Sequence, residues 1–191
     1  MTPASKFVAS DTQNFKTAPA MQSENPVHTF LAAYQLAVLA KDLEAFCSLY
    51  AEDVSVFDAW GDPWFTNGLA SLRSSTKAWF DSLGWESVSV SVSDVVSTDS
   101  EDLSFGHGVF RFAGLSATGE ETRWLENRFT VSLSRASGSW KVTHQHTSSP
   151  ADFVSKKVQL RRGINDAYPS LKLTRYGMRC KPGLRHLGHH C

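Results

Sequence analysis

The spacing of apolar residues in this 191-residue chain shifts near residue 85 from mainly helical to mainly alternating, and that shift limits the fold more than any single motif. Before it, apart from 54–60, apolar side chains recur every three or four residues, as on amphipathic helices. After it they alternate every second residue, as on strands with one face buried. Val27, Phe30, Leu31, Tyr34 and Val38 make one helical stripe. Asn25 can cap that helix, and Pro26 suits its first position, where no N–H is needed. Asp42 caps a second helix, with Leu43, Phe46, Cys47 and Tyr50 as its inner face. VSVFDAW (54–60) has strand character, and GDP ends it as a turn. A third helix, about 69–83, buries Leu69, Leu72, Trp79, Phe80 and Leu83. Four strands follow: ESVSVSVSDVVS (86–97), LSFGHGVFRFAG (103–114), TRWLENRFTVSLS (122–134) and SWKVTHQHTS (139–148). Short separators, SATGEE and RASG, read as turns between them. Helices first and strands second predict an α+β domain, with three N-terminal helices packed on one face of a strongly curved antiparallel sheet.

Charge divides the chain differently. The net charge is zero, but residues 26–153 hold eight Lys/Arg against sixteen Asp/Glu, while from Val154 onward nine Lys/Arg face one acid, Asp166. Three segments are therefore expected: a flexible leader (1–25), a folded domain (26–153) and a basic, disordered tail (154–191). The tail's charge would suit nucleic acid or anionic lipid; a solvated extension is the plainer reading, and folding back onto the acidic body a third. Met21 offers an alternative start. No apolar run approaches the ~18 residues of a membrane span. The first residues lack the apolar block of a signal peptide, so a cytoplasmic location is expected. Cys47, Cys180 and Cys191 are too few, and odd in number, for a disulfide framework.

The stretch AYQLAVLAKDLEAFCSLYAEDVSVFDAWGDP (33–63) resembles the opening of the ketosteroid isomerases, and RFTV with GSWKVTHQHTSSP (128–150) is similar to SnoaL-like proteins. Together these place residues 26–153 in the SnoaL-like, ketosteroid-isomerase-like (nuclear-transport-factor-two-like) superfamily by resemblance. That resemblance implies a cone-shaped pocket fold, a small-molecule ligand and a homodimer, and it implies neither a cofactor nor a metal. The superfamily hosts isomerases, cyclases, dehydratases and non-enzymatic dimerisation domains, so the fold does not choose among them.

Asp58 is the strongest candidate for chemistry. By period two it shares a strand face with Val54, Val56 and Trp60, and in an apolar wall such a carboxylate can shuttle a proton. The resemblance makes it the general base; the plainer reading is an Asp at a strand end that binds the turn backbone. Tyr34 matches the isomerases' oxyanion donor, or is a core Tyr bonded to a carbonyl. The isomerases' second donor, a protonated Asp, is replaced by Thr130 when positions are counted back from Gly138. Arg128 is ambiguous. The Arg-x-Thr pattern turns it into the pocket, where it would favour a carboxylate-bearing ligand over an apolar one. Apolarity instead buries Leu125, Phe129, Val131 and Leu133 and sends Arg128 outward to solvent or a dimer interface. His144 and His146 share a strand face; with His107 they are read as ligand contacts rather than metal ligands. Trp60, Trp79 and Phe110 line the cavity or the core. The reading that results is a small-molecule pocket protein carrying out cofactor-free proton transfer, or alternatively a non-catalytic binding or dimerisation module.

Overall fold

The computed structural model describes residues 25–60, 65–135 and 138–163. Helix α1 (Pro26–Ala40) begins where Asn25 accepts the His28 N–H at 3.0 Å, and it ends at Lys41, whose left-handed backbone returns its N–H to the last turn. Helix α2 (Leu43–Cys47) is capped by Asp42, and α3 runs Leu69–Ser82. The strands are β1 (Tyr50–Phe57), β2 (Thr66–Asn67), β3 (Ser87–Asp99), β4 (Leu103–Leu115), β5 (Glu121–Ser134) and β6 (Lys141–Ser148). They form one curved, unclosed sheet in the order β2-β1-β6-β5-β4-β3. Every pairing is antiparallel except β1 with β6, which run parallel. Tyr50, assigned by helical spacing to the second helix, instead opens β1, because α2 stops at Cys47. Leu49 carbonyl then accepts the Val142 N–H of β6 at 2.9 Å, so the chain at Tyr50 is already part of the sheet.

The helices cover one face of this sheet. Val27, Phe30, Leu31, Tyr34 and Val38 of α1 are all buried, as their spacing requires, against Phe110 of β4 and Phe129, Val131 and Leu133 of β5. Burial of each such side chain contributes about 1.5–3 kcal/mol. Close approach of α1 depends on a missing side chain: a Cβ at Gly106 of β4 would stand 2.7 Å from Val27 Cγ1.

The first part of the basic tail is not separate from the domain. Residues 150–162 turn back on themselves through an Ala151–Val158 bridge and lie against β5, where Leu160 carbonyl accepts the Glu126 N–H at 2.8 Å. Arg162 then pairs with Asp94 (2.6 Å) and Glu126 (3.2 Å). The expectation of a disordered tail from residue 154 is corrected for residues 154–163, since the acidic body supplies partners for the first arginines. The leader (1–24) and the remaining tail (164–191) lie outside the described residues, as does the GDP turn.

Replacing Gly106 by Ala tests the packing. Val27 is stiff and fully buried, so the helix must shift, and a loss of about 1–3 kcal/mol is expected in urea unfolding. An unchanged midpoint would show that α1 does not rest on this contact.

Candidate functional site

Between α3 and the inner face of the sheet lies a cavity of about 550 Å³, within the range of small-molecule sites. Its apolar end is built by Trp79 of α3 and Leu83, just past its end, facing Val88, Phe112 and Leu125 of the strands. Trp79 meets Phe112 edge-on, with centroids 6.4 Å apart. Its polar end is made by Asp58, Thr147 and Asn127. A smaller depression of about 420 Å³ near Ser48, Glu52, Asp53 and Lys141 lacks aromatic walls beyond Tyr50, so the first cavity is the better ligand site.

Asp58 sits one residue past the end of β1, at the rim, and is itself exposed. Its Oδ1 accepts the Thr147 hydroxyl at 2.8 Å and the Trp60 N–H at 3.3 Å. The Thr147 hydroxyl also accepts the Ala59 N–H at 2.9 Å. Both interpretations of Asp58 thus apply at once: it holds the strand-end backbone through Oδ1, and it lines the cavity. Oδ2 has no hydrogen-bond partner among the described residues.

Tyr34 is not part of the cavity lining. Its ring is in the core, stacked on Phe110 at 5.1 Å. Burial, and then the Asp58 carboxylate, push its phenol well above the usual tyrosine range, so it stays protonated. The phenol of Tyr50 is raised mainly by burial, with smaller contributions from Tyr34 and Asp58, and donates to Gln145 Oε1 at 2.9 Å. The Tyr34 hydroxyl has no such partner among the described residues, yet it is not a sealed atom.

Of the ten residues singled out by sequence, Asp58, Trp60 and Trp79 come together at the cavity. Tyr34 and Phe110 lie in the core beside it, Phe110 stacked on Phe129 at 4.2 Å. The other five are on the opposite face of the sheet. Arg128 is exposed, because its neighbours Asn127 and Phe129 take the inner face. The inward placement of Arg128 is therefore corrected; the guanidinium in the cavity lining is that of Arg123, which is paired with Glu86. Thr130 pairs with His107 on one side and His146 on the other, and His144 lies two residues along, all outward. None of these histidines can touch a ligand in the cavity. Among the described residues, no group of three His, Cys, Asp or Glu is placed to hold a metal.

Asn127 is the residue that sequence reasoning missed. It is 1% exposed, it lines the cavity, and its Oδ1 is the one sealed side-chain polar atom without a partner among the described residues. Leaving such an acceptor unpaired costs about 1–3 kcal/mol. The signal was present: by period two Asn127 is the lone polar member of the apolar set 125, 127, 129, 131 and 133.

A profile of the SnoaL-like domain family matches residues 27–152. No curated protein matches the chain significantly. Among solved structures, the fold is similar to an NTF2-like protein of unknown function from Pseudomonas putida KT2440 (20% identity, TM-score 0.64, covering 72% of this chain and 93% of that one). It is also similar to an NTF2-like protein with a cystatin-like fold from Novosphingobium aromaticivorans (12%, TM-score 0.58, 69% and 84%) and to Aln2 from a Streptomyces species (11%, TM-score 0.56, 64% and 87%). At these identities the likeness establishes the fold. No helix among the described residues is long and apolar enough to cross a membrane.

The two raised phenols make a pH prediction. The folded state keeps protons on Tyr34 and Tyr50 that the unfolded chain releases near pH 10, so their contribution is complete below about pH 10 and is lost as pH rises beyond it. Phenolate absorbance at these residues, assigned with Tyr34→Phe and Tyr50→Phe, should appear only together with unfolding. Ionisation of either in the folded protein near pH 10 would contradict the burial.

Proposed function

The chain belongs to the SnoaL-like domain family, and on that premise we propose that it binds a small, largely apolar molecule in the α3–sheet cavity and catalyses cofactor-free proton transfer there. Asp58 is the base and Tyr34 the oxyanion donor in this reading. The observation that carries it is the Asp58 carboxylate, fixed through Oδ1 by Thr147 and the Trp60 amide, with Oδ2 left to take a proton at the edge of an apolar cavity. A positioned general base contributes ~10²–10⁴-fold to such a reaction. Tyr34 remains a protonated donor with no protein partner among the described residues; because it lies behind the cavity wall, its role requires the ring to move toward a bound ligand. The reaction class, isomerase, cyclase or dehydratase, follows the ligand.

Solvent-deuterium incorporation next to the carbonyl of 2-tetralone, followed by NMR, measures the proton transfer without a known substrate. Asp58→Asn should slow the catalysed exchange at least ~10²-fold. Equal exchange by wild type and Asp58→Asn removes Asp58 as base and leaves the binding-module reading. Exchange unaffected by Tyr34→Phe removes Tyr34 alone.

A homodimer through the outer sheet face is part of the same proposal. Val96, Leu103 and Phe105 are exposed there beside His107. Phe57 stands edge-on to His144 and His146, at 5.2 and 5.8 Å. Exposed apolar side chains gathered on one face suit an interface between copies. Light scattering should give twice the chain mass for wild type and the single mass for Phe105→Asp; a single mass for wild type would rule the dimer out.

A further inference from the structure

Asn127 states a demand that the protein itself does not meet. It occupies the inner face of β5, opposite Phe110 of β4. The amide nitrogen is used, donating to Ser149 Oγ at 3.3 Å. The carbonyl oxygen is sealed and accepts nothing among the described residues. Proteins rarely leave a buried acceptor in this condition unless something else supplies the donor. Two of the polar side chains along the same wall are already committed. Thr147 gives its hydroxyl proton to Asp58, and Arg123, further along the wall, is engaged with Glu86. Asn127 is among the residues that line the cavity, so a small turn of its side chain would bring the oxygen, out of reach of water as it stands, to a donor on a bound molecule.

Resting on the pocket reading above, we infer that the ligand is an uncharged, flat, largely apolar ring compound carrying a hydroxyl group, and that this hydroxyl donates to Asn127 Oδ1. The walls select the ring: Trp79, Phe112 and Leu125 offer aromatic and aliphatic surface with no second sealed polar atom lacking a partner among the described residues. The charge follows from the polar end. An anion there would meet the Asp58 carboxylate and the Asn127 carbonyl oxygen, both acceptors, while Arg128 is on the far face and the one arginine in the lining, Arg123, is paired with Glu86. An ammonium would be drawn to Asp58 at the exposed rim, where it keeps its water, rather than into the dry end beside Asn127. The polarity is opposite to that of a protonated acid offered to a carbonyl: here the protein accepts and the ligand donates. With its hydroxyl held on Asn127, such a molecule is anchored at one end while Asp58 Oδ2 remains available to its other atoms.

Calorimetry of the full chain with 2-naphthol, 2-methoxynaphthalene and 2-acetylnaphthalene tests this. The three share a ring system and differ in having a donor, a blocked donor and an acceptor. The hydroxyl compound should bind roughly tenfold tighter than either other compound, and Asn127→Leu should reduce that preference to about twofold or less. Equal binding of 2-methoxynaphthalene and 2-naphthol to wild type overturns the inference, and so does tighter binding of 2-acetylnaphthalene, which needs the amide turned the other way. A hydroxyl preference undiminished in a folded Asn127→Leu protein overturns the assignment to Asn127. The wild-type ranking stands as a test even if that variant does not fold. Failure of all three to bind at their solubility limits is a different result: it removes the ring-binding cavity, and the proposed function falls with it.

Discussion

The stack formed by Phe110 with Tyr34 and Phe129 is the contact on which the rest of the structure depends. Phe110 is fully buried, with its ring 4.2 Å from Phe129 and 5.1 Å from Tyr34. It ties α1 to the two central strands of the long antiparallel half of the sheet. Offset aromatic contacts of this kind add about 0.5–1.5 kcal/mol to what burial alone provides. The stack works only because β4 presents no side chain at Gly106, where Val27 descends onto the strand. Beyond the stack, toward Phe112 and Leu125, α1 no longer covers the sheet and α3 stands off it. The cavity is the space that remains, so core and pocket are two ends of one apolar face.

The polar end of that cavity shows how a fold can hold reactive groups without a catalytic motif. β1 ends at Phe57, and the chain leaves the sheet with Asp58 facing the last turn of β6. Thr147 joins the two by donating to Asp58 and accepting from Ala59, so one hydroxyl sets both the carboxylate and the exit path of the chain. Two positions further along, just past the last β5–β6 pair (Arg128–Ser148), Asn127 donates to Ser149. The result is two acceptors: a carboxylate at the wet rim, just past β1 and tied to β6 through Thr147, and an amide oxygen in the dry interior on β5. Rigid elements keep such groups in place without reorganisation when a ligand enters.

Most of the architecture was legible because it follows from periodicity. The stripe from Val27 to Val38 and the Val–Ser alternation of β3 define the helix and strand faces directly, since one residue of slip would invert a buried face. The same rule settles Arg128. Phe129, Val131 and Leu133 can be buried only if Arg128 and Thr130 point outward, and the cost of burying a guanidinium without a partner supports that choice. The family-like Arg-x-Thr spacing points the other way and does not decide it. His144 and His146 read as a pocket pair because they share a face, but periodicity does not say which face until Val142, Gln145 and Thr147 are seen buried. The β-bulge between Ser132 and Leu133 shifts that register and is invisible in the sequence. Asn127 escapes notice for a related reason: one polar residue in an apolar set looks like tolerance in a sequence, and becomes a site only when its oxygen is found sealed and unpaired.

The split between an acidic body and a basic extension has a structural cause for part of its length. β3 breaks register after Ser93, and Asp94 adopts a left-handed backbone (φ 54°), which Asp accepts at lower cost than most residues. That irregularity brings the Asp94 carboxylate to Arg162, which also holds Glu126 and the Ser93 hydroxyl. The carboxyl of Asp94 is held below its ordinary range by the Arg162 and Ser93 hydrogen bonds; at Glu126 burial acts upward, but the bonds from Arg162 outweigh it. Exposed ion pairs taken singly contribute about 0–1 kcal/mol. This one is different in kind, because a single guanidinium bridges two strands while the backbone of Leu160 closes on Glu126 and the Arg161 guanidinium lies 4.7 Å from the ring centroid of Trp124. Trp124 also lines the cavity. The first turn of the basic segment is therefore a strap across the outer sheet, in contact with a wall of the pocket, and its charge is complementary to the carboxylates it crosses.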